Sequence, residues 1–131
     1  SDLRLKRKQH IDTLFRKGKA YSAFPLKLLY LSVPRDPASA PVLAGFSVPK
    51  KKFRKATDRQ RIKRLMREAW RLNKHELYAA VPADRQLHLF CIFTDNAMPS
   101  YESVTAAMQQ GIARIAVSLA GRAGEADNRS L

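Results

Sequence analysis

Thr57-Asp58-Arg59-Gln60-Arg61-Ile62-Lys63-Arg64-Leu65-Met66-Arg67-Glu68-Ala69-Trp70-Arg71 carries two patterns at once. Ile62, Leu65, Met66, Ala69 and Trp70 recur at intervals of three and four, which sets them on one stripe of an α-helix. A half-buried strand would need strict alternation instead. Arg59, Arg61, Lys63, Arg64, Arg67 and Arg71 take the rest of the surface, with Glu68 as counter-charge. The segment therefore predicts a helix with one buried face and one almost unmixed cationic face. Thr57 or Asp58 is the candidate N-cap. Like charges three and four apart cost a helix a few tenths of a kcal/mol per pair, roughly. A sequence that tolerates several such pairs gains the cost back on a polyanion.

Outward from this helix, Pro49 and the run Lys50-Lys51-Lys52 end a strand predicted over Val42 to Val48. Phe24 to Val33 reads as an earlier strand. The turn-rich stretch Pro34 to Pro41 is short enough to make the two an antiparallel hairpin. Leu87 to Phe93 is an apolar run too short for a helix and reads as a buried strand. A helix between it and Val42–Val48 predicts a βαβ unit with parallel pairing.

Lys8 to Lys17 reads as a short helix with Ile11, Leu14 and Phe15 on one side and Gly18 as its stop. Pro99 and Ser100 open a last helix, in which Val104, Met108, Gly111, Ile112, Ile115 and Leu119 keep a helical period; Gly121 is its expected end. The small, polar stretch 122–131 reads as a disordered tail. The order α-β-β-α-β-α makes one α+β domain over residues 1–121, a small sheet with helices packed on it.

A chain of 131 residues has one domain's length and can bury roughly two-thirds of its unfolded surface. Its charge is unusual: 25 Lys and Arg against 11 Asp and Glu, a net of +14. Residues 1–19 hold seven basic and two acidic side chains, and residues 50–74 hold twelve and two. The other 87 residues hold six basic and seven acidic, so the whole excess lies in two segments. Such confinement points to a dedicated polyanion surface, nucleic acid before anionic membrane. The cationic helix also carries a buried-type stripe ending in Trp70, which argues against lying on a membrane. One cysteine excludes an internal disulfide framework and a multi-cysteine zinc site. No apolar run approaches a spanning helix and no signal peptide is visible, so the cytoplasm is the expected compartment.

Catalytic chemistry of the chain's own finds little support. His10, His75 and His88 stand at no metal-ligand spacing. His88, inside an apolar strand, reads as a satisfied core histidine. Asp84 and Asp95 flank the same strand and read as turn residues. No acidic cluster of the kind a two-metal nuclease requires is present. Cys91, between Phe90 and Ile92, reads as a buried structural thiol.

The string KKKFRKATDRQRIKRLMREAW resembles the signature of the bacterial ribonuclease P protein subunit. In that family a strand ends in S-V-x-K-K and an R-N-R-x-K-R-x-x-R-E helix follows. The matching residues are Ser47, Val48, Lys50 and Lys51, then Arg59, Arg61, Lys63, Arg64, Arg67 and Glu68. The family's central Asn is Gln60 here, an amide of longer reach. Arg4-Leu5-Lys6 through Phe15-Arg16-Lys17-Gly18 resembles the family's opening helix, and the likeness extends over about residues 4–119 in element order.

The resemblance implies a protein that assists a catalytic RNA in removing the 5′ leader from precursor tRNA. It implies no catalytic residue and no cofactor in the chain, the Mg2+ being used by the RNA subunit, and it requires no protein oligomer. It further implies a left-handed βαβ crossover and a leader cleft between the first helix and the sheet. Lys50, Lys51, Lys52, Arg54, Arg59, Gln60, Arg61, Lys63, Arg64, Arg67 and Arg71 are then the candidates for RNA binding. For the leader, aromatic faces beside a positive track are what single-stranded RNA needs. Ile11, Phe15, Phe24 and Tyr30 are the candidates. Phe24, Leu26, Leu28 and Tyr30 share one strand face, and Lys27 and Leu29 the other. Alternation leaves open which face lines the cleft. The alternative is another basic RNA-binding module, such as a ribosomal or RNA-chaperone protein.

Overall fold

A computed structural model describes residues 8–129, with side chains over 12–120. Seven elements follow in order: α1 (Lys8–Lys17), β1 (Lys19–Ala23), β2 (Leu26–Pro34), β3 (Val42–Ser47), α2 (Ala56–Ala80), β4 (Arg85–Phe93) and α3 (Tyr101–Arg129). The predicted stripe is the buried face of α2: Ile62, Met66, Ala69 and Trp70 are buried, Leu77 extends the row, and Leu65 is half-buried. Val104, Ala107, Met108, Ile112, Ile115 and Leu119 form the matching face of α3. The two helices pack together on one face of the sheet, against Leu26, Leu28, Val42, Ala44, Leu87, Leu89, Cys91 and Phe93. Gly111 sets how closely α3 approaches: a Cβ there would lie 2.8 Å from a methyl of Leu28.

The strand order is β1-β2-β4-β3. β3 and β4 pair in parallel across α2, from Val42 opposite Leu87 to Ser47 opposite Ile92, as the βαβ reading expects. The predicted hairpin is not formed. β4 inserts between β2 and β3, and β2 pairs antiparallel with β4 along nine residues, Leu26 opposite Phe93 to Pro34 opposite Arg85. The cause is burial. The central position of a covered sheet suits the most continuously apolar strand, and Leu87–Phe93 is that strand. β2 finds its hairpin partner instead in β1, which the sequence reading omits because Lys19–Ala23 is short and only Ala23 is buried.

Three chain signals act differently from their expected roles. α2 begins at Ala56 with Lys55 at the N-cap and no side-chain cap, so neither Thr57 nor Asp58 caps it. Gly18 does end α1, but without a left-handed backbone. It accepts the close return of the chain: its N–H donates to the Leu14 carbonyl at 2.8 Å, and a Cβ would collide with that same oxygen. Gly121 does not stop α3, which runs on to Arg129. A helix-interior glycine costs about 1 kcal/mol relative to alanine, and stopping there calls for a left-handed C′ residue, a conformation no described glycine adopts. Ser100 behaves as read, its Oγ accepting from the Ser103 N–H at 3.1 Å.

Candidate RNA-binding surfaces

The sheet has two unequal faces. The face opposite α2 and α3 carries Ala20 and Ser22 of β1, Lys27, Leu29, Leu31 and Val33 of β2, Gln86, His88, Phe90 and Ile92 of β4, and Leu43, Gly45 and Ser47 of β3. α1 lies over β2 and β4 rather than over the β3 edge. It seats Leu14, fully buried, beside Leu29, with Leu31, Leu43, Phe90 and Ile92 around them. These last four stay only half-buried. Gly45 and Ser47 are small, so the floor stays low along β3. Between α1 and the β3 edge the half-buried Leu43, Phe90 and Ile92 leave a partly open apolar strip, the candidate for the expected cleft.

Phe15 stands at its wall. The ring is 56% exposed and meets Phe90 edge-on, centroids 6.0 Å apart. Ile11 lies on α1, its side chain outside the described residues. Tyr30 is on the other face, packed among the α2–α3 core, with its hydroxyl donating to Ser118 Oγ at 3.3 Å. Phe24 is on neither face: it occupies the turn between β1 and β2 and is 72% exposed. The structure thus brings Phe15 to the cleft and keeps Tyr30 and Phe24 out of it. The floor residues Lys27, Leu31, Leu43, Phe90 and Ile92 are absent from the sequence-based candidates. Their signal is the second register of alternation in Phe24–Val33 and Leu87–Phe93, which shows a common face without showing that it is open.

His88 is accounted for. Gln86 Nε2 donates to the Ala40 carbonyl at 2.8 Å, so its Oε1 faces His88 Nε2 at 2.9 Å and the imidazole donates. Cys91 points into the core, where burial pushes its thiol up to about 12. A raised pKa removes thiolate at neutral pH. At pH 8 the folded protein should therefore resist a disulfide reagent and react fully once denatured. Stoichiometric labelling of the folded chain within minutes would contradict this burial.

On α2 the exposed Gln60, Arg64, Arg67 and Arg71 follow one another at intervals of four, three and four, opposite the buried stripe. At about 1.5 Å per residue the row is roughly 16 Å long. Arg61 and Arg54 are also exposed, and Lys63 is half-buried. Arg71 is the member held by a carboxylate: it donates from both Nε and Nη2 to Glu68, and that hydrogen bond holds the Glu68 carboxyl below the usual range. Two candidate cations have backbone work. Arg59 Nη1 donates to the Phe53 and Arg54 carbonyls at 2.7 and 2.8 Å, tying the entering turn to the first turn of α2. Lys52 Nζ donates to the Thr94 carbonyl at 2.6 Å. Lys50 and Lys51 are exposed in the turn after β3. Among the described residues no group of three or more His, Cys, Asp or Glu side chains comes together to hold a metal ion, and no helix is long and apolar enough to cross a membrane.

The family model for ribonuclease P matches residues 1–116. The chain belongs to the ribonuclease P protein family. The ribonuclease P protein component of Porphyromonas gingivalis is 40% identical over 116 residues, covering 86% of this chain and 82% of that one. The corresponding protein of Chlorobium phaeobacteroides is 34% identical over 108 residues, covering 75% and 74%. In fold, the ribonuclease P protein of Staphylococcus aureus superposes with a TM-score of 0.67 at 18% identity, over 88% of this chain and 96% of the other. That of Thermotoga maritima gives 0.64 at 22%, over 85% and 96%. A ribonuclease P protein is a subunit of a holoenzyme whose catalysis is in the RNA, and it acts in tRNA processing as an RNA-binding protein. The mixed α+β fold agrees with the sequence-based expectation, its strand order aside.

Proposed function

We propose that this ribonuclease P protein holds the 5′ leader of precursor tRNA in the cleft between α1 and the sheet, and meets the catalytic RNA with the cationic row of α2. The carrying observation is the pairing of an exposed aromatic ring, Phe15, with a half-buried apolar floor beside lysines. Unpaired bases stack on such surfaces, whereas a folded RNA presents mainly phosphates. Arg64 and Arg67 form no ion pair among the described residues and suit phosphate contacts. Lys50, Lys51 and Arg54 precede the N-terminus of α2, whose free N–H groups add to the positive field.

The same reading assigns Mg2+ to the RNA subunit, and among the described residues the carboxylates do not gather into a site for it. Cationic side chains that offset phosphate repulsion reduce the RNA's need for magnesium. The protein works in the cytoplasm, where tRNA is matured, and needs no second copy of itself.

Reconstitution tests this. The purified protein alone should leave precursor tRNA uncut. Added to its RNA, it should restore leader removal at a magnesium concentration where the RNA alone is slow. RNA-free protein that cuts the leader, with activity lost on substituting Asp84 or Asp95, would overturn the assignment. So would equal stimulation of an unrelated ribozyme, which is how a general RNA chaperone behaves.

A further inference from the structure

Phe24 is the most exposed large apolar side chain described, and neither the core nor the α1 cleft uses it. Its surroundings are ordered by three hydrogen bonds. The Pro25 carbonyl accepts from Thr94 N at 2.8 Å and from Thr94 Oγ1 at 3.0 Å. The Thr94 carbonyl in turn accepts from Lys52 Nζ at 2.6 Å. The tip of the β1–β2 turn is therefore fastened, through the residue after β4, to the lysine turn after β3. Phe53 packs on Phe93 beneath this junction, centroids 5.7 Å apart.

One end of the sheet thus gathers an exposed ring and four lysines. Lys50, Lys51 and Lys52 come from the turn after β3, and Lys27 comes from the start of β2 on the cleft face. Asp95 is the nearby acid, and its Oδ1 accepts from the N–H groups of Asn96 and Ala97. None of the four lysines forms an ion pair among the described residues. Lys27 lies opposite Ile92, and Ser47 lies opposite Ile92 from the other side, so the cleft floor opens directly onto this end. From Phe90, beside Phe15, to Thr94 at the rim is four residues, about 13 Å at the strand rise, or roughly four stacked nucleotides.

We propose that Phe24 and the lysines around it form a second stacking site for single-stranded RNA, one that takes leader nucleotides leaving the α1 cleft. This rests on the leader reading of that cleft. An exposed aromatic next to unpaired cations is the combination that binds unpaired nucleotides without reading their sequence. A rigid mount matters because a ring fixed in advance loses less freedom on stacking.

The test uses the reconstituted holoenzyme and measures binding of precursor tRNA with a long leader, precursor tRNA with a leader trimmed to about one nucleotide, and mature tRNA. Phe24→Ala should weaken the long-leader substrate about tenfold and leave the other two unchanged. Phe24→Trp should retain wild-type binding and Phe24→Leu should behave as Phe24→Ala, since stacking needs an aromatic face rather than apolar area. Thermal unfolding of all three variants should match wild type, because the ring is exposed. Phe15→Ala is the companion arm. If Phe15→Ala discriminates by leader and Phe24→Ala does not, the second site is overturned and the cleft reading stands. If neither discriminates, the cleft reading falls and the second site with it. Wild-type binding of the long-leader substrate by Phe24→Leu, or equal loss on mature tRNA, also overturns the proposal.

Discussion

Phe15→Ala in the reconstituted holoenzyme should weaken binding of precursor tRNA by about tenfold or more while leaving mature tRNA nearly unchanged. Base–aromatic stacking is worth about 1–3 kcal/mol per base by alanine substitution, and only the precursor carries unpaired leader bases. The fold should survive. Phe15 is 56% exposed, so its loss does not open a core cavity. What disappears inside the protein is the edge-on contact with Phe90, of order 0.5–1.5 kcal/mol. Thermal unfolding of the free protein separates the two effects. Equal losses for precursor and mature tRNA, with an intact melting transition, would remove Phe15 from the leader site. Tyr30 would not replace it, because its ring is packed in the α2–α3 core.

The double substitution Arg64→Ala and Arg67→Ala should cut affinity for the catalytic RNA about 30-fold at 0.15 M salt, with the loss vanishing toward 1 M. Each phosphate contact contributes roughly 0.7–0.9 to the log–log salt slope, so the slope itself should fall by about two. Stability should hardly change, as both side chains are exposed and lie opposite Ile62, Met66 and Ala69. Precursor and mature tRNA should be affected alike, because phosphate contacts carry no base information. Arg71→Ala should cost less than either, since Arg71 is already engaged by Glu68. Arg59→Ala belongs to another class. Its guanidinium holds the Phe53 and Arg54 carbonyls, so its loss should loosen the entrance to α2 as well as weaken RNA binding. An unchanged salt slope in the double variant would mean that the RNA contacts a different face of the helix.

The amino-acid sequence alone determined which segments are helical and which side of each is buried, though not the cap of α2 or the end of α3, together with the charge and the family. The spacing of Ile62, Leu65, Met66, Ala69 and Trp70 assigns the buried side of α2, and with it the exposed side on which Gln60, Arg64 and Arg67 stand. Such information is local: helical period is set by neighbours within a turn or two. The confinement of charge to two segments and the run from Lys50 to Glu68 are likewise properties of consecutive residues. What only the tertiary structure decided is what covers each surface. Alternation in β2 separates Leu28 and Tyr30 from Lys27 and Leu29, yet it carries no sign of which set meets α3 and which meets α1. The insertion of β4 between β2 and β3 joins residues about 45 to 67 positions apart, a choice made by total burial and not by any turn signal. Arg59 and Arg64 are indistinguishable as letters on a cationic face. One bonds to backbone carbonyls and the other stands free of the sheet, because the first lies at the turn where the chain enters the helix. The partial exposure of Leu43, Phe90 and Ile92 follows from the same cause: α1 is short and packs mainly on β2 and β4, so the β3 side of this face is less fully covered.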